Sequence, residues 1–215
     1  MTSVAIIDYG MGNLHSISKA LQHVTQHDQI VVTSDAHAIL QADRVVVPGV
    51  GAIRDCMAAI QNLGLNNVIH EVAQSKPLLG ICIGLQAMLD ESEENNHTPC
   101  LGIFSGKVVR FKAGLTDDAG HQLKIPHMGW NQVHQTSQHP LWQGIEQDTR
   151  FYFVHSYYTE AEIHADVQAT SNYPTPFACA LGHKNIFAVQ FHPEKSHNAG
   201  LKLLQNFLTW NGHDS

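Results

Sequence analysis

The chain has 215 residues, of which 43% are hydrophobic and 14% are charged, so its composition suits a folded protein with a substantial core and excludes a disordered one. Twelve basic residues against nineteen acidic ones give a formal net charge of −7, which argues against a nucleic-acid-binding surface. The four cysteines are widely spaced without a C-x-x-C pair, and no apolar run approaches the roughly 18 residues of a membrane span, so we expect a cytoplasmic protein that does not enter a membrane.

Short apolar runs and helical patterns alternate along the first 90 residues. Strands are predicted at residues 4–7, 30–33, 45–47 and 78–81, and helices at residues 14–24, 53–60, 68–73 and 85–89. This alternation predicts an α/β fold with a mostly parallel central sheet and helices on both of its faces. No linker-like segment divides the chain, so we expect one domain over residues 1–215.

The second half of the chain has a different pattern. Residues 91–99 are polar, and short strands are predicted at residues 106–111, 130–134, 151–157, 167–171, 177–181 and 186–191, with turns at residues 116–122 and 136–139. Strands that follow one another so closely predict antiparallel pairs in the C-terminal half. A closing helix is predicted at residues 199–210.

A predicted strand, a sharp turn and a predicted helix meet at Cys82. Gly80 and Gly84 lie two residues on either side of the cysteine, and glycine suits a crowded turn because it has no Cβ atom. The pattern is typical of a nucleophile elbow in which cysteine replaces serine, and the following helix N-terminus would favour the thiolate. A small cysteine buried in the core would give the same local pattern, so this segment alone leaves both interpretations open.

A cysteine nucleophile needs a base and a third group that orients the base. His192 and Glu194 are the candidates, because residues i and i+2 of an extended segment point to the same side and Pro193 disfavours helix at the histidine. An isolated H-x-E is common on the surface of a chain with 16 histidines. Its position after a buried-looking strand favours the catalytic interpretation.

Residues 48–51, with the sequence P-G-V-G, follow the strand predicted at residues 45–47. A glycine-rich turn at the end of a parallel strand can present backbone N–H groups to a developing oxyanion. The Walker sequence G-x-x-x-x-G-K-[ST] is absent, so the turn is not a phosphate loop of that type. An ordinary connection between a strand and a helix is the alternative interpretation.

The segments P-G-V-G-A, G-I-C-I-G-L-Q and F-H-P-E-K-S, in this order, resemble the class I (triad) glutamine amidotransferases. Within that family, D-Y-G-M-G-N, P-H-M-G-W-N at residues 126–131 and Y-F-V-H-S-Y-Y at residues 152–158 resemble the glutaminase subunits of imidazole glycerol phosphate synthases. The resemblance covers nearly the whole chain. Ile53 stands where an aromatic residue is common in those subunits and Leu85 where methionine is common, while residues 113–124 match none of the motifs.

The resemblance implies a triad in which Cys82 attacks the side-chain carboxamide of glutamine, His192 relays protons and Glu194 orients His192. Glutamate and ammonia would be the products. The other roles that it implies are an oxyanion hole (Val50, Gly51, Ile83), glutamine binding (Gly51, Gln86, His155, Ser156, Tyr157) and a partner interface (Asn13, Met128, Trp130, Lys195).

The same resemblance implies a partner, a (β/α)8-barrel cyclase subunit that forms a heterodimer with this chain. The partner would receive the ammonia and make imidazole glycerol phosphate and an aminoimidazole carboxamide ribotide (AICAR) in histidine biosynthesis. The resemblance implies neither a cofactor nor a metal ion, and it implies a free subunit that is a weak glutaminase until the partner holds its ligand.

Other functions are compatible with parts of the sequence. The glutaminase subunit of another ammonia-channelling synthase, or a hydrolase of γ-glutamyl peptides, would keep the Cys-His chemistry. Gly10 and Gly12 begin a dinucleotide-binding pattern, but His15 stands where its third glycine belongs. A histidine-rich metal-binding protein would be expected to contain H-E-x-x-H or paired C-x-x-C motifs, which the sequence lacks.

Overall fold

The structure, a computed structural model, describes residues 2–25, 27–116 and 119–213. The α-helices are α1 (Leu14–Val24), α2 (Ala36–Gln41), α3 (Ile53–Asn62), α4 (Leu65–Ser75), α5 (Ile83–Gln86) and α6 (His197–Thr209). The strands are β1 (Ser3–Ile7), β2 (Gln29–Thr33), β3 (Arg44–Val47), β4 (Leu78–Ile81), β5 (Glu91–Ser92), β6 (Thr98–Pro99), β7 (Gly106–Arg110), β8 (His127–Gln132), β9 (His134–Gln135), β10 (Arg150–His155), β11 (Tyr157–Ala161), β12 (Val167–Asn172), β13 (Pro176–His183) and β14 (Ile186–Val189). Short 3₁₀ helices lie at Pro140–Trp142, His164–Asp166 and Pro193–Lys195.

A parallel sheet with the strand order β2-β1-β3-β4-β14 forms the centre of the molecule. Strands β3, β4 and β14 are buried along their whole length, as expected where helices cover both faces of a parallel sheet. The helices pack in two groups, α1 with α6, and α2 and α3 with α4. At the base of the sheet, the buried guanidinium of Arg44 donates hydrogen bonds to the carbonyl oxygens of Phe207 (3.0 Å) and Trp210 (2.8 Å), which fixes the end of α6.

Antiparallel strands extend this sheet in the C-terminal half of the chain. Strand β13 pairs antiparallel with β14, β11 and β12, and β11 pairs antiparallel with β7. Strands β8 and β10 form a separate two-stranded antiparallel sheet. The predicted fold class, mostly parallel with antiparallel strands in the second half, is therefore confirmed.

The single strand predicted at residues 151–157 is wrong, because this segment is divided at Ser156 between two sheets. Strand β10 pairs with β8 up to His155, whereas β11 starts at Tyr157 and pairs with β7. The N–H of Phe111 donates to the carbonyl oxygen of Ser156 at 3.1 Å, which holds the crossing point. The strand predicted at residues 130–134 starts earlier, at His127.

The helix predicted at residues 85–89 is also too long, since α5 ends at Gln86. The carbonyl oxygens of residues 87–89 accept hydrogen bonds from the N–H groups of residues 101–104 at 2.8–2.9 Å. These long-range bonds satisfy the carbonyl groups that a longer helix would have used. The turn predicted at residues 116–122 includes residues 117–118, which lie outside the described residues.

Candidate active site

Three adjacent strands bring the sequence motifs together. Strand β4, which ends before Cys82, lies between β3, which leads into residues 48–51, and β14, which precedes His192. The register pairs Ile81 with Val189, and the N–H of Cys82 donates to the carbonyl oxygen of Val189 at 2.7 Å. In parallel sheets, functional groups gather at the carboxyl ends of the strands. Residues 48–51, Cys82 and His192 all follow the carboxyl ends of adjacent strands.

The backbone at Cys82 is strained, with φ 55° and ψ −108°. A positive φ is costly for a residue with a side chain and persists only where surrounding contacts enforce it. Gly84 provides such a contact, because a Cβ atom added there would lie 2.0 Å from the carbonyl oxygen of Val47. A Cβ atom on Gly49 would lie 2.6 Å from Cβ of Ile83. The turn after β4 is therefore pressed against the end of β3, and only glycine permits this approach.

His192 and Glu194 form a buried pair. Nδ1 of His192 lies 2.8 Å from Oε1 of Glu194, and their side chains are 1% and 0% exposed. The predicted extended conformation is wrong beyond the histidine, because Pro193 begins a 3₁₀ helix for which His192 is the N-cap residue. Proline suits the first position of a helical turn, and this turn brings the carboxylate back to the ring.

The protonation of His192 depends on its two neighbours. Burial by itself lowers the pKa of His192, but interactions first with Cys82 and then with Glu194 outweigh burial and raise the pKa above its ordinary value. An imidazolium beside a sulfur atom favours the thiolate, which is the nucleophilic form of cysteine. The arrangement can therefore serve nucleophilic catalysis with proton transfer.

Gln190 was missed by the sequence analysis, although it lies two residues before His192 on the same buried segment. Its Nε2 atom donates to Sγ of Cys82 at 3.7 Å, and its Oε1 atom accepts a 3.0 Å hydrogen bond from Nε2 of Gln86. The same Nε2 atom of Gln86 donates to the carbonyl oxygen of Tyr157 at 3.0 Å. The carboxamide oxygen of Gln86 is left buried with no hydrogen-bond partner among the described residues. A polar side chain at the end of a buried strand was the available signal for Gln190.

A cavity of about 270 Å³ opens above Cys82 and has room for a ligand of amino-acid size. Every residue expected to form the oxyanion hole or bind glutamine lines it. Three further lining residues were not predicted, Glu94, Pro126 and Val154. Its full lining is Val50, Gly51, Cys82, Ile83, Gln86, Glu94, Pro126, Val154, His155, Ser156, Tyr157 and His192. No sequence pattern marked Glu94, which lies in the polar segment 91–99 and accepts a 3.0 Å hydrogen bond from the N–H of Ile53 at the start of α3.

Residues 48–51 form one side of this cavity. The hydroxyl of Tyr9, buried under the turn, donates to the carbonyl oxygen of Pro48. Gly51 has φ 99°, a conformation that residues with side chains rarely adopt. Val50 and Gly51 thus share the cavity with Ile83, where backbone N–H groups would serve an oxyanion.

The residues predicted to face a partner lie on β8, in the 3₁₀ helix at Pro193–Lys195 and at the start of α1. Met128 and Trp130 alternate outward on β8 and are 61% and 42% exposed. The Trp130 ring stacks on His197 with a centroid distance of 5.0 Å, and Nζ of the exposed Lys195 lies 6.0 Å from the Tyr152 ring centroid. Asn13 is the partly buried N-cap residue of α1. Their role at an interface stays a prediction.

A family model of glutamine amidotransferase class-I matches residues 5–210. The chain belongs to the class I glutamine amidotransferase family. It is therefore an enzyme, a glutamine amidotransferase, and the predicted family is confirmed.

Two relatives are similar to this amidotransferase over nearly their whole length, and one solved structure shares its fold. It is 61% identical to imidazole glycerol phosphate synthase subunit HisH of Methylococcus capsulatus over 98% of this chain and 97% of the relative. It is 59% identical to the subunit HisH of Nitrosococcus oceani over 99% of both chains. A crystal structure of a glutamine amidotransferase shares the fold with a TM-score of 0.72 at 16% identity, covering 96% of this chain and 97% of that one.

Within the described residues, the amidotransferase contains no group of three or more His, Cys, Asp and Glu side chains arranged to hold a metal ion. All four cysteines are free thiols. No helix in the described part of the chain combines the length and the hydropathy needed to cross a membrane.

Proposed function

We propose that this chain is the glutaminase subunit of an imidazole glycerol phosphate synthase in histidine biosynthesis. The observation that carries the proposal is the 61% identity, over 98% of this chain and 97% of the relative, to a protein named as subunit HisH of that enzyme. The buried His192–Glu194 pair beside Cys82 supplies the chemistry that a glutaminase needs.

In the first half of the proposed reaction, the Sγ atom of Cys82 attacks the side-chain carboxamide carbon of glutamine and forms a C–S bond. The carbonyl oxygen takes the electron pair and becomes an oxyanion. His192 then donates a proton to the carboxamide nitrogen, the C–N bond breaks and ammonia leaves. The enzyme is left as a γ-glutamyl thioester on Cys82.

In the second half, His192 takes a proton from water while the water oxygen attacks the thioester carbon. The C–S bond breaks, the sulfur recovers its electron pair, and glutamate leaves. Glu194 holds Nδ1 of the imidazole throughout, which directs the other ring nitrogen toward the sulfur and the leaving group.

Backbone N–H groups of Ile83 and of the Val50–Gly51 turn stabilise the oxyanion in this proposal, because they line the cavity next to the thiol. Gln86 receives the α-ammonium group of glutamine, since its buried carboxamide oxygen is an acceptor without another partner among the described residues. Gly51, His155, Ser156 and Tyr157 complete the binding site for the amino acid.

The partner in this proposal is a (β/α)8-barrel cyclase subunit, which forms a heterodimer with this chain and uses the ammonia to make imidazole glycerol phosphate and AICAR. Asn13, Met128, Trp130 and Lys195 face that partner. We infer further that residues 1–215 act as one domain, which the continuous sheet from β2 to β7 supports. A cytoplasmic location without nucleic-acid or membrane binding fits the net charge of −7 and the free cysteines.

The experiment that tests this function is an assay of glutamate release from glutamine. The chain is measured alone, with the cyclase subunit, and with the cyclase subunit plus its ribonucleotide ligand. We expect strong stimulation by partner and ligand together. Full activity without the partner would favour an independent hydrolase of glutamine or γ-glutamyl peptides, and no activity under any condition would contradict the glutaminase assignment.

A further inference from the structure

Two buried histidines lie side by side behind the cavity. His127 on β8 and His155 on β10 are paired across the two-stranded sheet, and Nδ1 of His127 lies 2.9 Å from Nε2 of His155. The two residues are 4% and 5% exposed. His155 also lines the cavity above Cys82, so the state of its ring matters to a bound substrate.

The position of the proton on His155 follows from its second contact. Nδ1 of His155 lies 2.8 Å from the carbonyl oxygen of Tyr157, and a carbonyl oxygen can only accept a hydrogen bond. Nδ1 must therefore carry the proton. In a neutral ring Nε2 is then an acceptor, and the hydrogen bond between the rings requires a proton on Nδ1 of His127.

The hydrogen bonds of Asn131, at the other end of this series, give the same protonation state for His127. The Asn131 carboxamide is oriented by the N–H of Gln132, which donates to its Oδ1 atom at 2.9 Å. Its Nδ2 atom donates to the carbonyl oxygen of Asn172 at 2.8 Å and lies 3.3 Å from Nε2 of His127. An amide nitrogen is a donor only, so Nε2 of His127 must accept. An additional proton on either imidazole would place two hydrogen-bond donors opposite each other, with no acceptor between them.

The surroundings also disfavour a charged ring. His127 is stacked between Phe153, at a centroid distance of 5.1 Å, and Tyr173, at 4.0 Å. Burial lowers the pKa of His127 to about 4. Burial is also the main cause that lowers the pKa of His155 to about 3, against the opposing effect of its hydrogen bond to the Tyr157 carbonyl oxygen. Glu94 is the carboxylate that lines the same cavity.

Strand β8 connects this network to the outer surface. Successive side chains of a strand point to opposite faces. His127 and Asn131 accordingly lie on the face toward His155, whereas Met128 and Trp130 point outward. The strand predicted to contact the partner therefore also carries the hydrogen-bond donors that act on the cavity.

We propose that His127 and Asn131 are positioning residues that fix His155 as the neutral tautomer protonated on Nδ1, so that this wall of the glutamine site stays uncharged and holds the Tyr157 carbonyl in place. A cationic His155 would repel the α-ammonium group of glutamine. The Tyr157 carbonyl oxygen also accepts the hydrogen bond that orients Gln86. This inference rests on the proposed glutaminase reaction.

The tautomers can be observed directly by ¹⁵N NMR of the imidazole nitrogens in the full chain at neutral pH. We expect a protonated Nδ1 and an unprotonated Nε2 for both His127 and His155. A proton on Nε2 of either ring, or an imidazolium at either position, would overturn the proposal. This measurement needs no substitution and does not depend on catalytic activity.

Kinetics of the complex with the cyclase subunit and its ligand provide the second test. His127→Phe keeps a stacked ring but removes the donor to His155. We expect the KM for glutamine to rise by about tenfold, because the loss of one buried hydrogen bond has about this effect on binding. The value of kcat should change less. The matched control, His134→Phe on the exposed strand β9, should leave KM unchanged. An unchanged KM for glutamine in His127→Phe would refute the positioning role.

Asn131→Asp tests the same series of hydrogen bonds if His127→Phe does not fold. The substitution replaces the donor facing Nε2 of His127 with an acceptor, so His127 should become an imidazolium in the ¹⁵N spectrum while still donating to His155. A neutral His127 in this variant would contradict the assignment. Absence of glutamate release by the wild-type complex would instead refute the proposed function, and the tautomer measurement would be unaffected.

Discussion

Oε1 of Glu194 lies 2.8 Å from Nδ1 of His192. The 3₁₀ helix that follows His192 brings the carboxylate back to the ring. The side chain of Glu194 is 0% exposed, and its second oxygen has no hydrogen-bond partner among the described residues. A buried carboxylate is costly unless a partner compensates it. The contact with His192 is therefore what compensates the burial of this carboxylate.

Glu194→Gln should remove this orientation while keeping the size of the side chain. We expect glutamine hydrolysis by the complex to fall by about 10²- to 10⁴-fold, the range typical for loss of the orienting carboxylate of a triad. Synthesis supported by added ammonium salt should continue and serves as the control. A fall of less than about threefold in glutamate release would show that Glu194 does not orient His192.

Cys82→Ser should abolish glutamine-dependent synthesis, because a hydroxyl in this position is a far weaker nucleophile than a thiolate. Synthesis from added ammonium salt by the complex should be retained, since the proposed function places that reaction on the partner. The two rates are measured on the same preparation. Loss of both activities would contradict a role confined to glutamine hydrolysis.

Gly84→Ala should destabilise the fold, because the new Cβ atom would lie 2.0 Å from the Val47 carbonyl oxygen. We expect a loss of about 3 kcal/mol or more in the free energy of unfolding, measured by chemical denaturation. The matched control is Gly64→Ala, where φ is 68° but no atom lies within 4 Å. Its backbone strain should cost only about 1 kcal/mol. Equal losses in the two variants would refute the steric explanation.

The free energy of unfolding should fall as the pH is lowered from 6.5 toward 4. Below pH 6.5 the unfolded chain binds protons at His127 and His155, whereas burial keeps their folded-state pKa values at about 4 and about 3. The unfolded state thus binds more protons in this range, and each histidine contributes a slope of about 1.4 kcal/mol per pH unit. His127→Phe should reduce the measured slope by about that amount. An identical slope in wild type and variant would contradict the buried neutral pair.

Trp130→Ala should weaken binding of the cyclase subunit more than it weakens the fold, because this ring is 42% exposed in the free chain. Buried aromatic residues at an interface commonly contribute enough for the Kd to rise by about 30- to 1000-fold on truncation. Leu63→Ala, at a 48% exposed position at the end of α3, is the control. Titration calorimetry with the cyclase subunit measures both, and an unchanged Kd for Trp130→Ala would remove it from the interface.

The sequence predicted the strands around the site well because each of them is a short, continuous run of mainly apolar residues. Strands β3 and β4 lie within one residue of their predicted positions, whereas β14 ends at Val189, two residues before the predicted end. The adjacency of these three strands brings Cys82 and His192 together. Helix α2 was missed although it carries a local signal, since the carboxylate of Asp35 accepts a 2.7 Å hydrogen bond from the N–H of Ala38 as an N-cap.

The features that the sequence did not predict depend on distant backbone partners. The end of α5 is set by residues 101–104, and the division at Ser156 depends on pairing with two different strands. Glu94 reaches the cavity through its bond to α3, which no local pattern reveals. Periodicity describes the faces of single elements, whereas these features arise from the contacts between elements.

The tight packing around the turn at Cys82 also determines where the substrate range of this enzyme can change. Side chains cannot be added at Gly49, Gly80 or Gly84, because each would meet another atom of the core within 3 Å. The part of the cavity wall formed by Glu94 and Val154 contains no such glycine. Mutational libraries aimed at other amides should therefore vary that wall and leave the glycines untouched.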